Sequence, residues 1–199
     1  TCLNVGCIPT KMFVYTSEVA ETIRTSGKYN ISAQLTDVAW PEIVKRVFSD
    51  RIDPIAAGGE AYRRGPETPN IDVYDHHAVF VGPKILSTGQ GAEKRIISGD
   101  IIVIATGSRP AIPEVITKSG ITYYTNENIM RLPKLPKSMI VMGGSFIALE
   151  MSHRFKALGV DVTLVNRSNR LLKRFDTDIS DRITRATSEA MTTHLGVTF

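Results

Sequence analysis

Residues 139–165 carry the pattern that restricts the possible folds more than any other part of the sequence. Met139–Met142 is a short continuous apolar run, typical of a buried strand. Ser145–Leu158 then carries apolar residues at helical spacing, and Gly159 favours a helix end there. Asp161–Val165 is a second strand-like stretch. A strand, a helix and a strand over so short a distance predict a compact βαβ unit, and therefore an α/β fold with a parallel sheet.

The turn between the first strand and the helix is rich in small residues. It has the sequence GGSFIA, from Gly143 to Ala148. A dinucleotide-binding turn follows G-x-G-x-x-G/A, which Gly143 and Ala148 match at the two ends. Ser145 stands in place of the middle glycine, which normally lets the backbone approach a pyrophosphate. We still predict a dinucleotide site, with either a lower affinity or a turn shifted by Gly144.

The end of the second strand predicts which dinucleotide is bound. An NAD site has an acidic residue there that holds the ribose 2′-hydroxyl. This sequence has Asn166 and Arg167 instead. Arg167 and Lys173 are suited to a 2′-phosphate, the arginine as a bidentate donor and the lysine as a point charge. The pattern favours NADPH, and a solvated basic loop without a ligand is the alternative.

The chain's two cysteines, Cys2 and Cys7, lie five positions apart with Gly6 between them. An ideal helix rises about 7.5 Å over five residues, whereas the Cα atoms of a disulfide are about 4.4–6.8 Å apart. We therefore interpret residues 1–8 as a loop that bends at Gly6. A bridge across so short a loop stabilises a fold little, which favours redox chemistry.

The position of Cys7 predicts its reactivity. It precedes a helix that we expect from Lys11 to about Arg24, ended by Gly27. A helix N-terminus and a nearby lysine both favour a thiolate. A structural disulfide, half of a zinc site and two inert buried thiols remain as alternatives.

The remaining segments have weaker patterns. Apolar spacing predicts further helices and strands. The helices are expected at 41–48, 54–64 and 178–195, and the strands at 71–74, 78–81, 85–87, 95–97, 100–105 and 197–199. The segment 100–105 (DIIVIA) is predicted to be a strand buried on both faces.

Composition excludes several classes of function. The chain has 199 residues, 42% of them hydrophobic and 22% charged, which is ordinary for a globular protein. A formal net charge of +4, with no aromatic residues interleaved in the basic stretch 167–174, argues against nucleic-acid binding. No apolar run is long enough to span a bilayer, and no leader is visible, so we expect a cytoplasmic protein without a membrane segment.

The first eleven residues, TCLNVGCIPTK, resemble the redox-active disulfide segment of the pyridine nucleotide-disulfide oxidoreductases. The stretches MFVY, RIDPIA and NIDVY are most similar to the mycothione reductase group of that family. The resemblance implies an enzyme with FAD and NADPH, whose redox disulfide joins Cys2 and Cys7. It makes Cys2 the thiol that attacks the substrate and Cys7 the thiol next to the flavin.

The same resemblance implies roles for other residues. Lys11 would lie near the flavin, paired with the Glu150 carboxylate, so the catalytic set is Cys2, Cys7, Lys11 and Glu150. The segment 104–110 (IATGSRP) resembles the family's ATG signature, and Ala78 stands where backbone meets the FAD adenine. The cofactor-binding residues implied are Thr1, Lys11, Ala78, Thr106, Gly107, Gly143, Gly144, Ser145, Ile147, Glu150, Arg167 and Lys173.

The resemblance also predicts the domain organisation. It implies two Rossmann-like FAD/NAD(P)-binding domains, both incomplete in this chain. Residues 1–115 would belong to the FAD-binding domain, without its N-terminal βαβ unit, and residues 116–199 to the NADPH-binding domain, truncated at its C-terminus. No residue matches the family's acid–base histidine, which comes from the partner subunit of a homodimer, so we expect the chain alone to be inactive.

The predicted function is therefore reduction of a low-molecular-weight disulfide, with mycothione as the favoured substrate. A glutathione-type reductase and lipoamide dehydrogenase are the alternatives within the family. Arg167 argues against lipoamide dehydrogenase, because that enzyme uses NAD. Outside the family, a dinucleotide-binding redox sensor without flavin is the alternative.

Overall fold

The computed structural model describes residues 2–198. The helices are α1 (Cys2–Val5), α2 (Cys7–Thr25), α3 (Trp40–Val47), α4 (Asp53–Arg64), α5 (Glu114–Thr117), α6 (Phe146–Ala157) and α7 (Thr177–Ala190). The strands are β1 (Ala78–Gly82), β2 (Ile85–Thr88), β3 (Arg95–Ser98), β4 (Ser138–Met142), β5 (Asp161–Asn166) and β6 (Thr192–Leu195). Short 3-10 turns cover Ser26–Tyr29, Gly91–Glu93 and Ile129–Arg131, and a π-helical turn covers Phe48–Ile52.

The chain divides into two compact units. One combines Thr1–Pro54 with Ala111–Phe199, and the other is Ile55–Pro110. These are groupings by packing, and the predicted functional domains 1–115 and 116–199 remain a prediction.

The parallel sheet β4–β5–β6 belongs to the first unit. Met139 lies opposite Val162, and Leu164 opposite Thr193. Leu164 is fully buried and Val162 nearly so. Parallel neighbours need a crossover connection, and α6 supplies it between β4 and β5. The predicted βαβ unit and the α/β fold class are confirmed.

An aromatic cluster forms the core between the first residues of the chain and α6. The rings of Phe13 and Trp40 lie 5.3 Å apart between centroids, and those of Trp40 and Phe155 lie 5.5 Å apart. The Trp40 indole N–H donates to the Leu132 carbonyl at 2.7 Å, so its polar atom is satisfied inside the core. Residues far apart in sequence thus join α2, α3 and α6.

The second unit contains an antiparallel meander, β1–β2–β3. Ala78 pairs with Thr88, and Ile85 pairs with Ser98. The predicted strands at 78–81, 85–87 and 95–97 are confirmed.

Four predictions of local structure before residue 178 are wrong. Residues 2–5 form a helical turn where we expected a loop, since the break falls at Gly6 alone. Gly27 does not end the first helix, because a 3-10 turn continues to Tyr29 and Asn30 takes the left-handed conformation, with φ 58°. The segment 71–74 is not a strand. The segment 100–105 is not a buried strand either, because no strand among the described residues pairs with it; Ile101 is 86% exposed and Val103 81%.

The predicted helix 178–195 is too long. It ends at Ala190, and Thr192–Leu195 is β6, paired in parallel with β5. Thr192 and Thr193 are β-branched and suit a strand, and the open edge of β5 supplies their hydrogen bonds. The strand that we expected at 197–199 is not formed at residues 197 and 198, and Phe199 lies outside the described residues.

No helix within residues 2–198 is long and apolar enough to cross a membrane.

Candidate active site

The two cysteines lie side by side where α1 gives way to α2. Gly6 interrupts the helix, with φ −123° and ψ −123°, and its carbonyl accepts a hydrogen bond from the Thr10 N–H at 3.1 Å. The Cys2 thiol lies close enough to Cys7 to raise the pKa of the Cys7 thiol. Both are exposed free thiols in the structure. The bend predicted at Gly6 is confirmed.

The pKa of the Cys7 thiol is raised, which corrects our expectation of a favoured thiolate. The largest cause is the hydrogen bond with Cys2, and the next is repulsion by negative charge at Cys2. Burial and the Glu150 carboxylate raise it further, while a backbone hydrogen bond at Cys7 acts in the opposite direction. The direct contact with Cys2 therefore outweighs the helix N-terminus and Lys11, which our expectation relied on.

The carboxylate of Glu150, on α6, lies close enough to act on Cys7. Lys11 is exposed on α2, and the described residues include no salt bridge between Lys11 and Glu150. The structure therefore brings together Cys2, Cys7 and Glu150, whereas the predicted pairing of Lys11 with Glu150 is not formed.

Arg154 on α6 is a buried cation that sequence reasoning missed. It is only 2% exposed. Its Nη1 donates to the Thr10 carbonyl of α2 at 3.2 Å, and its Nε donates to the Glu150 carbonyl at 2.9 Å. Burial lowers the pKa of Arg154 to about 10, against the opposing effect of Glu150, so it stays charged at neutral pH. The arginine thus ties the helix of the redox pair to the helix of Glu150.

The glycine turn connects β4 to α6. Gly143 has φ 125°, a conformation that favours glycine, and its N–H donates to the Val165 carbonyl at 2.8 Å. Ser145 is the N-cap of α6, and its Oγ accepts a hydrogen bond from the Ala148 N–H at 3.5 Å. Ser145, which replaces the middle glycine of the dinucleotide-binding pattern, therefore caps the N-terminus of α6. Ser145 and Ile147 are exposed at this end of α6.

A basic loop follows β5. Arg167 and Lys173 are exposed, and so are Arg170 and Arg174. Arg170 forms a salt bridge with Asp181 at 3.4 Å. The loop is joined to the glycine turn, since the Leu172 N–H donates to the Gly144 carbonyl at 2.8 Å. The predicted nucleotide-binding residues 143–150 and 167–173 thus lie in one compact unit.

The predicted FAD contacts beyond the cysteine segment belong to the other unit. Ala78 is an exposed residue of β1, and Thr106 and Gly107 are exposed at the end of an extended segment. Gly107 has φ 71°, which favours glycine. Thr1, also predicted to contact FAD, lies outside the described residues.

The residues present fit both cofactors. At the nucleotide site, the N-terminus of α6 carries no acidic residue in its first turn, and exposed cations face solvent nearby, which suits phosphate groups. At the cysteine segment, an exposed thiol pair is available for reduction by a flavin.

The whole chain, residues 1–199, matches the family of the pyridine nucleotide-disulphide oxidoreductases. It belongs to that family. The match includes both the cysteine segment and the glycine turn, so the resemblance predicted from the sequence is confirmed.

Relatives of known name agree with this assignment. The chain is 50% identical over 193 residues to mycothione reductase from Mycobacterium tuberculosis strain H37Rv, covering 94% of this chain and 41% of that protein. It is 29% identical over 190 residues to dihydrolipoyl dehydrogenase from Bacillus subtilis, covering 90% of this chain and 39% of the relative. The chain therefore spans about two fifths of the length of these relatives.

A solved structure resembles the chain as well. It is the HOCl-induced flavoprotein disulfide reductase RclA from Escherichia coli, with a TM-score of 0.76 and 25% sequence identity. The likeness covers 100% of this chain and 41% of that one.

Proposed function

We propose that this chain carries the redox and nucleotide-binding parts of an NADPH-dependent flavoprotein disulfide reductase, whose working disulfide joins Cys2 and Cys7. The observation that carries the proposal is the contact between the two exposed thiols where α2 begins. Membership of the pyridine nucleotide-disulphide oxidoreductase family supports a redox role for the two thiols.

Substrate reduction follows from the geometry of the dithiol. The Cys2 thiolate attacks one sulfur of the substrate disulfide, which forms a Cys2–substrate mixed disulfide and releases one substrate thiolate. Cys7, whose pKa is raised by Cys2, keeps its proton while Cys2 carries the negative charge. The mixed disulfide removes that charge, so Cys7 can ionise and attack the Cys2 sulfur. This second step releases the other substrate thiolate and re-forms the Cys2–Cys7 disulfide.

Regeneration of the dithiol needs two electrons and two protons. Bound FAD would accept a hydride from NADPH and pass two electrons to the disulfide. Of the chain's own residues, Gly143–Ala148 and the cations Arg167 and Lys173 would hold NADPH. Thr1, Lys11, Ala78, Thr106 and Gly107 would contact FAD. Glu150 would lie at the nicotinamide end and Lys11 beside the flavin.

Mycothiol disulfide is the substrate that we propose. The 50% identity to a mycothione reductase supports this choice over glutathione and lipoamide. We also propose that the active protein is a cytoplasmic homodimer, with the acid–base histidine supplied by the partner subunit.

The decisive assay follows NADPH oxidation by the purified full-length protein that contains this chain, with its FAD. Mycothiol disulfide, oxidised glutathione and lipoamide are compared in parallel, and NADH replaces NADPH in a second series. We expect turnover with NADPH and mycothiol disulfide, and loss of that turnover in Cys2→Ser and Cys7→Ser.

Each other result has a defined meaning. Turnover with a different disulfide keeps the mechanism and replaces the substrate. Absence of both flavin and turnover would reject the reductase and leave a dinucleotide-binding redox sensor.

A further inference from the structure

Asn166, the last residue of β5, has a buried side chain that organises the basic loop after the strand. It is 9% exposed. Its Nδ2 donates to the Ser168 carbonyl at 2.9 Å and to the Arg170 carbonyl at 3.1 Å. Both amide protons therefore bind backbone oxygens of the loop 167–172, and this side chain helps to fix the path of that loop.

The Asn166 side chain also lies against the glycine turn. A Cβ added to Gly144 would lie 2.8 Å from Asn166 Nδ2 and 2.9 Å from its Oδ1. Only a glycine leaves room for this contact. The Leu172 N–H, at the far end of the loop, donates to the Gly144 carbonyl at 2.8 Å. Asn166 and Gly144 thus couple the loop to the turn that we assign to the pyrophosphate.

The loop is held from its other side by α7. The Leu171 N–H donates to Thr184 Oγ1 at 2.9 Å, and Ser180 Oγ donates to the Leu171 carbonyl at 2.6 Å. Leu171 is fully buried. The backbone of the loop is therefore preorganised, while the side chains of Arg167 and Lys173 remain exposed.

We propose that Asn166 is a positioning residue that determines coenzyme specificity. Its amide holds the loop in the shape that directs Arg167 and Lys173 to a 2′-phosphate. This role of Asn166 rests on the proposed use of NADPH, and it names the residue on which the preference for NADPH over NADH depends.

The geometry gives an unexpected prediction for an acidic residue at this position. An acid at a strand end normally favours NAD by binding the ribose 2′-hydroxyl. Here an aspartate at 166 would have no proton to donate, and its carboxylate would face the Ser168 and Arg170 carbonyl oxygens. The loop would open, so Asn166→Asp would lose the 2′-phosphate preference without creating an NADH site.

Calorimetric titration of the purified flavoprotein tests this without any turnover. The two probes are adenosine 2′,5′-bisphosphate and adenosine 5′-monophosphate, which differ only by the 2′-phosphate. We expect Asn166→Asp and the uncharged Asn166→Ala each to weaken bisphosphate binding about tenfold, as lost hydrogen bonds to a rigid loop would. Binding of the monophosphate should change less than about threefold.

Asn169→Asp is the matched control. It makes the same chemical change on an exposed residue of the same loop. If it weakens bisphosphate binding as much as Asn166→Asp does, charge explains the effect and the proposal is rejected. The proposal is also rejected if Asn166→Ala keeps the wild-type preference for the bisphosphate over the monophosphate. If Asn166→Asp does not fold, Asn166→Ala alone provides the test. Equal binding of both probes by the wild type would instead reject the NADPH assignment itself.

Discussion

Cys7 shows how a direct contact outweighs two longer-range effects at one residue. The helix N-terminus and Lys11 predicted a favoured thiolate, although the helix begins at Cys7 itself and not at Lys11. The hydrogen bond and repulsion from Cys2 act in the opposite direction and are larger, so the pKa of Cys7 is raised. The sequence reveals that two cysteines are close, but not how the helix is interrupted at Gly6 between them.

Removal of Cys2 is expected to lower the pKa of Cys7. In Cys2→Ala the hydrogen bond and the repulsion both disappear, so Cys7 becomes a thiolate at lower pH. The measurement is the rate of iodoacetamide alkylation of Cys7 against pH, followed by mass spectrometry on the reduced protein. The midpoint of the profile should move to lower pH, and alkylation at neutral pH should become faster.

Two further variants test the cause. Glu150→Gln removes a smaller contribution and should move the midpoint less, in the same direction. Glu18→Gln, an exposed residue of α2, should leave it unchanged. A midpoint that stays in place or rises in Cys2→Ala contradicts the explanation.

At the scale of elements, the sequence predicts those whose signals are local. The strand, turn, helix and strand at 138–166 carry apolar runs and a glycine turn, and these elements form as expected. The elements predicted wrongly depend on partners. Thr192–Leu195 becomes a strand because β5 offers an edge, whereas 100–105 stays unpaired because no described strand adjoins it. The Asn166 amide in the candidate site was missed because its acceptors are backbone oxygens, which no sequence motif displays.

Gly144→Ala tests the contact between the glycine turn and β5. The added Cβ would lie 2.8 Å from the Asn166 side chain, which is closer than real Cβ contacts. We expect a loss of about 1–3 kcal/mol in the free energy of unfolding, as overpacking typically costs. Urea titration followed by circular dichroism measures it.

Gly27→Ala is the control within the same compact unit. A Cβ there meets no atom within 4 Å, so its free energy of unfolding should stay within about 0.5 kcal/mol of the wild type. Equal stability of the two variants would show that the turn has room to move.

At the scale of the whole molecule, the packing of distant segments is what the sequence does not reveal. The helix that begins at Cys7 lies against α6 through Phe13, Trp40 and Phe155, and through the Arg154 hydrogen bond to the Thr10 carbonyl. Apolar periodicity predicts that each helix has a buried face, but it does not say which helix covers it. This packing places the redox pair next to Glu150.

Phe155→Ala is expected to lower the free energy of unfolding by about 3–5 kcal/mol, the range for a buried aromatic residue reduced to alanine. Phe155 is 2% exposed and packs on Trp40. Trp40 is the single tryptophan of the chain, so its fluorescence during denaturant titration reports this core.

Phe175→Ala makes the same change at a residue that is 57% exposed. It should shift the free energy of unfolding by no more than about 0.5 kcal/mol. A small effect of Phe155→Ala, similar to that of Phe175→Ala, would mean that the aromatic cluster is not a cooperative part of the core.

The exposed segment 101–104 has a consequence for the behaviour of the protein in concentrated solution. Three bulky apolar side chains, Ile101, Val103 and Ile104, stand on an extended backbone that pairs with no strand of residues 2–198. Exposed, extended apolar segments from separate molecules add to one another edge to edge. Molecules that leave this segment uncovered would therefore scatter more light and leave solution as their concentration rises, whereas a covering strand or solubilising partner would keep them dispersed.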